Sequence, residues 1–100
     1  MNFQYTPELL EHMKKVGKST VLVELVEASS GDFDFTELHV FLADERTRKI
    51  FLEKKDYRPV ATDAGEVLLP NFPLTFEPTV TFGLKKFLFF KYLSYTGIKI

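Results

Sequence analysis

The feature that most constrains the fold is a helix signal near the start of the sequence. Thr6 can cap a helix, and Pro7 suits its first position because the missing N–H has no helical partner there. Gly17 supplies a left-handed stop, so the pattern predicts a helix over residues 7–16. Its apolar residues form one stripe: Leu9, Leu10, Met13 and Val16. A helix with a single apolar face must cover a larger element, and here that element must be a sheet.

Strand signals make up most of the remaining chain. β-branched and apolar residues predict strands at residues 21–26 and 36–42, which we expect to form an antiparallel hairpin with a wide loop, EASSGDFDF. A second, compact hairpin is predicted over residues 57–69, with its turn at Asp63-Ala64-Gly65, because glycine can take a positive φ. Pro59 lacks a backbone donor and places the first strand of this hairpin at a sheet edge.

The connecting segments carry weaker patterns. Residues 43–49 are charged and aperiodic, so we interpret them as a solvated connection that ends in a short apolar stop at residues 50–52. Three prolines make residues 70–78 an extended crossing loop, and alternation predicts that a strand restarts at residues 79–82.

The tail is the most apolar part of the chain. Its FLFF run, residues 87–90, predicts either a strand that is covered on both faces or a helical turn before a last strand over residues 93–100. Together these patterns predict an α+β fold that is mostly β. We expect residues 1–100 to form a single compact domain, a β-sandwich or a barrel-like structure with an N-terminal helix.

Charge and composition exclude several classes of function. The chain has 13 basic and 14 acidic side chains, so no net field draws it toward nucleic acid or anionic lipid, and such binding needs a local patch. Without cysteine there is no disulfide, thiolate nucleophile or ordinary iron–sulfur ligation. No apolar run approaches the ~20 residues that cross a bilayer, and MNFQYTPELL is unlike a signal peptide. We therefore expect a cytoplasmic protein without a membrane partner.

Two serines and two histidines are candidates for nucleophilic catalysis. Ser29 and Ser30 share the chain with His12 and His39, but no G-x-S-x-G elbow surrounds the serines. Serine beside glycine is more typical of a turn whose hydroxyls bond its own amides. We therefore expect no enzyme activity. His12 lies beside the apolar stripe of the predicted helix, so we expect it to be a partly exposed surface residue.

A second group of residues has the ligand types of a metal site. His39 lies in the sequence near Asp32, Asp34 and Glu37, and imidazole and carboxylate both bind zinc or harder cations. In a strand Glu37 and His39 share one face, whereas Asp32 and Asp34 belong to a loop without the calcium-loop pattern. The spacing argues against a metal site, and His39, Asp32 and Asp34 are the candidates if one forms.

The tail interleaves basic and aromatic residues, an arrangement that holds single-stranded nucleic acid in other proteins. The lysines are Lys85, Lys86 and Lys91, and the aromatic residues are Phe87, Phe89, Phe90 and Tyr92. However, the chain is slightly acidic and a small domain needs most of its Phe residues for its core. We interpret the aromatic residues as core with a possible homodimer face, and expect truncation of one buried Phe to cost about 3–5 kcal/mol.

Six segments follow one another in an order that is found in a known family. They are TPELLEHMKK, VLVELV, EASSGDFDF, ELHVFL, YRPVATDAGEVLLP and FGLKKFLFF. This order resembles that of the HesB/IscA-like family of small iron–sulfur-related proteins. The loop, the DAG hairpin and the tail LKKFLFFKYLSYTGIKI are most similar to a branch with adjacent cysteines, or cysteine beside selenocysteine, in the loop after the first strand.

The resemblance implies a compact β-rich fold with helices at its margin, and in thiol-bearing members an iron–sulfur assembly or transfer role, often as dimers. By position, Ser29 and Ser30 occupy the cofactor-binding slots that resemble the paired thiols. A hydroxyl does not ionise at neutral pH and is a hard donor, whereas clusters need soft sulfur. The family's other ligating cysteines, nearer the C-terminus, are missing too. No iron–sulfur cofactor is therefore expected, unless the serines replace cysteines of the native gene.

Three hypotheses for function follow from these patterns. The first is a non-enzymatic HesB-like domain without cysteine ligands, which acts as an interaction or dimerising module. The second is a metal-binding or iron–sulfur-linked redox relative, in which His39 and the acidic loop, or cysteines at positions 29 and 30, supply the chemistry. The third is single-stranded nucleic-acid binding through the lysines and aromatic residues of the tail.

Overall fold

Two helices and seven strands make up the part of the chain that the computed structural model describes. That part is the backbone of residues 2–100 and their side chains, except those of Ala28, Ser29, Ser30 and Phe33. The elements, in chain order, are β1 (Asn2–Tyr5), α1 (Pro7–Val16), β2 (Thr20–Ser30), β3 (Phe33–Ala43), α2 (Glu45–Lys54), β4 (Arg58–Thr62), β5 (Gly65–Leu69), β6 (Thr75–Phe87) and β7 (Phe90–Lys99).

The strands form two sheets. A three-stranded sheet has the order β1-β6-β7, and a four-stranded sheet has the order β3-β2-β5-β4. Two pairs are parallel, β1 with β6 and β2 with β5, and the other pairs are antiparallel. The predicted α+β, mostly β class is confirmed.

Both helices lie against the sheets. Helix α1 contributes Leu9 and Met13 to a main core that it shares with residues of both sheets: Val21, Val23, Val67, Leu69, Val80, Phe82 and Ile98. Alternation along β2 and β5 turns Leu22 and Leu68 to the other face of the four-stranded sheet, where Phe51 of α2 covers them. The four-stranded sheet is therefore covered on both faces.

Several local predictions are confirmed. Helix α1 spans residues 7–16, with Thr6 capping its start and Gly17 at φ 67° ending it. Strands β4 and β5 form the compact hairpin, and β4, which contains Pro59, is an edge strand. Gly65 has φ 150°, and the carbonyl oxygen of Ser19 lies 2.0 Å from the place where a Cβ would stand, so only glycine fits there.

The charged segment after β3 is not a solvated connection, and that prediction is wrong. Residues 45–54 form α2, which begins where the Asp44 carboxylate accepts a hydrogen bond of 2.8 Å from the backbone N–H of Thr47. The predicted apolar stop at residues 50–52 is part of this helix. Phe51 is the one buried residue of this helix, so α2 lacks the apolar stripe that makes α1 recognisable in the sequence.

The prediction of a wide loop at EASSGDFDF is also wrong. Strands β2 and β3 continue to Ser30 and Phe33, so only Gly31 and Asp32 form the turn. Gly31 has φ 61°, which suits a two-residue hairpin turn and lets the pairing extend to its last rung. The proline-bearing segment is shorter than predicted too, because β6 begins at Thr75 and passes Pro78 at an irregularity between Phe76 and Thr81.

Candidate interaction surface

The hairpin of β6 and β7 extends beyond the core. Leu84 and Leu93 pair with each other and pack against the main core as half-buried residues. From residue 85 to residue 92 every side chain is exposed. The strands remain paired along this stretch up to a two-residue turn at Leu88 and Phe89. The last rungs of the hairpin therefore project into solvent as a two-stranded ribbon.

Four apolar side chains stand at the end of this ribbon, and we name them the aromatic tip: Phe87, Leu88, Phe89 and Phe90. Their exposed fractions are 66%, 79%, 98% and 71%, and Tyr92 is 49% exposed. The prediction that these residues belong to the core is therefore wrong, as is the expectation of a helical turn. The ladder simply continues past the last core rung, a feature that the composition of the tail does not encode.

The turn of the aromatic tip holds a residue in an unfavourable conformation. Leu88 has φ 56°, a value at which a side chain meets the adjacent carbonyl and which glycine normally adopts. Gly31 occupies the equivalent first turn position of the β2–β3 hairpin at φ 61°. The β6–β7 hairpin thus carries leucine, with a large apolar side chain, at a turn position whose backbone conformation favours glycine.

Three lysines surround the base of the aromatic tip, and we name them the lysine collar: Lys85, Lys86 and Lys91. Lys85 pairs with Tyr92 and shares its face of the ribbon with Phe87 and Phe90. Lys86 pairs with Lys91 on the opposite face. Positive charge therefore lies on both faces of the ribbon, directly behind the apolar end.

Charge is segregated between the two long hairpins. From residue 78 to residue 100 there are four lysines and no acidic residue, whereas residues 20–43 hold five acidic residues and no lysine or arginine. Within the part of the chain that the structure describes, no ion pair involves the lysine collar. The tip of β6–β7 is thus a local basic patch on a chain whose net charge is −1.

The positions that resemble paired thiols lie in a strand. The backbone of Ser29 pairs with that of Asp34, and the backbone of Ser30 pairs with that of Phe33. The side chains of both serines are outside the described residues. His12, one of the two histidines considered with them, is half-buried on α1 as predicted, and lines an open depression of about 240 Å³ with residues 91–93.

The metal candidates are only partly brought together. Glu37 and His39 share a strand face as predicted, and Glu37 Oε2 lies 3.1 Å from His39 Nε2 at an exposed site. Asp34 is five residues from His39 along β3, about 17 Å in an extended strand, and Asp32 lies in the turn beyond it. Among residues 2–100, less the four side chains left out, no three His, Asp or Glu residues group as a metal site.

A polar network that the sequence does not reveal attaches α2 to the sheet. The Glu66 carboxylate of β5 accepts hydrogen bonds from Arg48 Nε and from the buried Thr20 hydroxyl, the latter at 3.1 Å. Arg48 also reaches Glu45 at 3.3 Å. The Arg48 guanidinium holds the pKa of the Glu66 carboxyl below its usual range, and Thr20 adds to this effect. We interpret this network as structural, because it joins α2 to strands β2 and β5.

Comparisons with protein-family models, with curated proteins and with solved structures find no match to this chain. In residues 2–100, none of the helices has the length and apolar character needed to cross a membrane.

Proposed function

We propose that this chain is a non-enzymatic interaction module that binds its partner through the aromatic tip. The observation that carries the proposal is the run of eight exposed residues from Lys85 to Tyr92, four of them the apolar residues of the tip. A soluble domain rarely leaves such a contiguous apolar cluster in water unless it binds something there. Aromatic side chains are also the residues that contribute most at interfaces.

The construction of the hairpin supports the proposal. Its ladder is continuous from Thr81 to Phe87, so the tip stands on a paired ribbon that the main core anchors at Phe82. A binding element held this way loses little conformational freedom when it meets a partner. The strained turn at Leu88 is a further cost to the fold that a binding role explains.

The HesB-like resemblance fits an interaction module better than a cluster carrier. Paired cysteines are the ligands that an iron–sulfur cluster needs, and hydroxyl oxygens stand at positions 29 and 30 instead. The residues present therefore do not fit the cofactor that the family implies. What the chain shares with the family, on this proposal, is a scaffold and a dimerising or docking role.

A single tryptophan at the tip tests the proposal. The chain contains no tryptophan, so a Phe89→Trp variant has one reporter, at a position that is 98% exposed. Its emission is followed while protein concentration is raised, while lipid vesicles are added, and while a single-stranded oligonucleotide is added. Phe35→Trp is the matched control, because Phe35 is also partly exposed but lies on the acidic β2–β3 hairpin.

The proposal predicts a blue shift of the Phe89→Trp emission with at least one of these partners and none for Phe35→Trp. A Phe89→Trp emission that stays at its water-exposed value in all three titrations contradicts it. An equal shift in both variants also contradicts it, because the response then does not belong to the tip.

The redox alternative has its own test. A Ser29→Cys, Ser30→Cys variant is incubated with iron and sulfide under reducing, anaerobic conditions. If the family role resides at these two positions, the variant gains a visible chromophore that the parent chain lacks. If no chromophore forms, the cluster-binding role at positions 29 and 30 is excluded.

A further inference from the structure

We infer that the partner of the aromatic tip is an anionic lipid bilayer, into whose surface the tip inserts. This inference rests on the proposed function and names the partner of the same site. It departs from the expectation that the chain has no membrane partner, which was based on the charge and hydropathy of the whole sequence. Such binding needs a local patch, and the β6–β7 hairpin provides one.

The residues of the hairpin are layered by polarity along its axis. The apolar residues 87–90 occupy the end, and Lys85 and Tyr92 form a rung that lies two residues behind Phe87, about 7 Å for an extended strand. Side chains that enter the boundary between headgroups and acyl chains reach a depth of about 5–10 Å. With the tip at that depth, the lysine collar and Tyr92 lie at the headgroups, where lysine and tyrosine are favoured.

The positions of the three lysines in the collar favour a bilayer over a protein groove as the partner. Lys85 lies on one face of the ribbon, and Lys86 and Lys91 lie on the other. A protein partner that packs on one face meets only part of this charge. A bilayer into which the ribbon inserts end-on surrounds it, so that all three lysines, which lie on two adjacent rungs, meet anionic headgroups.

The shape and charge of the patch argue against two other partners, a second copy of this chain and single-stranded nucleic acid. The aromatic tip is a convex end, and a second copy would have to offer a matching apolar groove, whereas lipid chains adapt to a convex group. Single-stranded nucleic acid stacks its bases on ring faces along a groove that tracks the backbone. Here the apolar side chains, including Leu88, cluster at one point, and the lysines lie behind them.

Vesicle co-sedimentation of the full chain tests the inference. The vesicles are either phosphatidylcholine alone or an equimolar mixture of phosphatidylcholine and phosphatidylserine. A Leu88→Gly, Phe89→Ser variant removes apolar surface, and a Lys85→Gln, Lys86→Gln, Lys91→Gln variant removes the collar. A Lys14→Gln, Lys15→Gln, Lys49→Gln variant is the charge-matched control, because these lysines are exposed elsewhere on the chain. All eight substituted positions are exposed, so the variants are expected to fold, and circular dichroism checks this.

We expect binding to the phosphatidylserine vesicles that weakens as salt is added. Each lysine near an anionic surface contributes about fivefold to partitioning, so loss of the collar lowers binding about 100-fold, and the control lysines lower it little. Loss of the apolar tip residues lowers binding at least about tenfold.

Three results overturn the inference. One is no binding to either vesicle, and another is binding that the tip variant retains in full. The third is a Phe89→Trp emission that responds to an oligonucleotide or to protein concentration but not to anionic vesicles. That third result leaves the proposed function standing with a different partner, whereas a tip that responds to nothing removes both.

Discussion

Gly31 and Leu88 occupy the same turn position in the two long hairpins, with φ values of 61° and 56°. Glycine adopts this conformation freely, whereas a residue with a Cβ loses about 1–2 kcal/mol there. The pair shows that one hairpin follows the ordinary chemistry of a tight turn and the other does not. In the second hairpin the departure places an apolar side chain that is 79% exposed at the end of the ribbon.

We expect a Leu88→Gly variant to be more stable than the parent chain. Relief of the left-handed strain exceeds the extra entropy that glycine has in the unfolded chain, so the free energy of unfolding rises by about 0.5–1 kcal/mol. Urea denaturation measures this difference. Leu88→Ala is the control, because it removes the apolar side chain but keeps the strain, and should give no gain. Equal stability of both variants would show that the turn is not strained.

Truncation of the aromatic tip should hardly affect folding. Phe89 is 98% exposed, so Phe89→Ala is expected to change the free energy of unfolding by less than about 0.5 kcal/mol. Phe82 is fully buried in the main core, and Phe82→Ala should cost about 3–5 kcal/mol. Thermal or urea unfolding compares the two. A large loss for Phe89→Ala would mean that the tip is packed in solution and not available to a partner.

Gly65 is expected to tolerate no side chain. A Cβ there meets the Ser19 carbonyl oxygen at 2.0 Å, and the backbone of β5 also donates to that oxygen from Glu66 at 3.0 Å. Gly65→Ala should therefore cost about 3 kcal/mol. Gly17→Ala is the matched control, since Gly17 also has a positive φ but open space around it, and should cost about 1 kcal/mol. Similar losses for both variants would contradict the close approach of Ser19.

The Arg48–Glu66 pair should make stability depend on pH. The pKa of Glu66 is lower in the folded chain than its ordinary value of 4.5, so the ionised carboxylate favours folding above that value. This contribution is lost as the pH falls through the lower, folded pKa. A Glu66→Gln variant should be about 1–2 kcal/mol less stable at neutral pH and should lose less stability on acidification. Urea denaturation at several pH values measures both, and parallel curves for the two chains would contradict the assignment.

Tyr57 should stabilise the sheet through its hydroxyl. Strand β2 leaves its pairing with β5 after Leu22, and the Leu25 N–H then donates to the Tyr57 hydroxyl oxygen at 2.9 Å. The Tyr57 ring also packs edge-on against Phe51 at 4.9 Å, so Tyr57→Phe keeps the ring contact and removes only the acceptor. We expect a loss of about 1–2 kcal/mol, measured by thermal unfolding. An unchanged stability would show that water replaces the hydroxyl at no cost.

The parts of the fold that the sequence predicts are those with local signals. Helix α1 has a cap, a proline and a glycine stop in sequence order, and the compact β4–β5 hairpin has a turn built around Gly65. Strand β1 lacks such a signal, because four residues pair in parallel with β6 more than seventy positions later. Helix α2 has a local cap at Asp44 but no apolar stripe. Its docking depends on Phe51 and on the Arg48–Glu66 pair, which only the tertiary fold brings together.

The candidate site shows where apolar composition misleads. The sequence identifies Phe87, Phe89, Phe90 and Tyr92 as interaction residues, yet assigns them mainly to the core. Apolar residues predict burial only where other elements cover them, and β6 and β7 pair beyond the reach of α1 and the second sheet. The sequence did contain one usable signal, the absence of any acidic residue after Glu77, which marks the tail as a basic patch.

The most direct measurement is the depth of the tip in a membrane. Phe89→Trp is mixed with vesicles of phosphatidylserine and phosphatidylcholine whose acyl chains carry bromine near the headgroups, and its fluorescence is compared with that in unbrominated vesicles. The account predicts strong quenching that phosphatidylcholine vesicles alone do not produce, and none for Phe35→Trp. If the Phe89→Trp emission is unquenched and remains that of a water-exposed indole, the aromatic tip does not enter the bilayer and the inference is wrong.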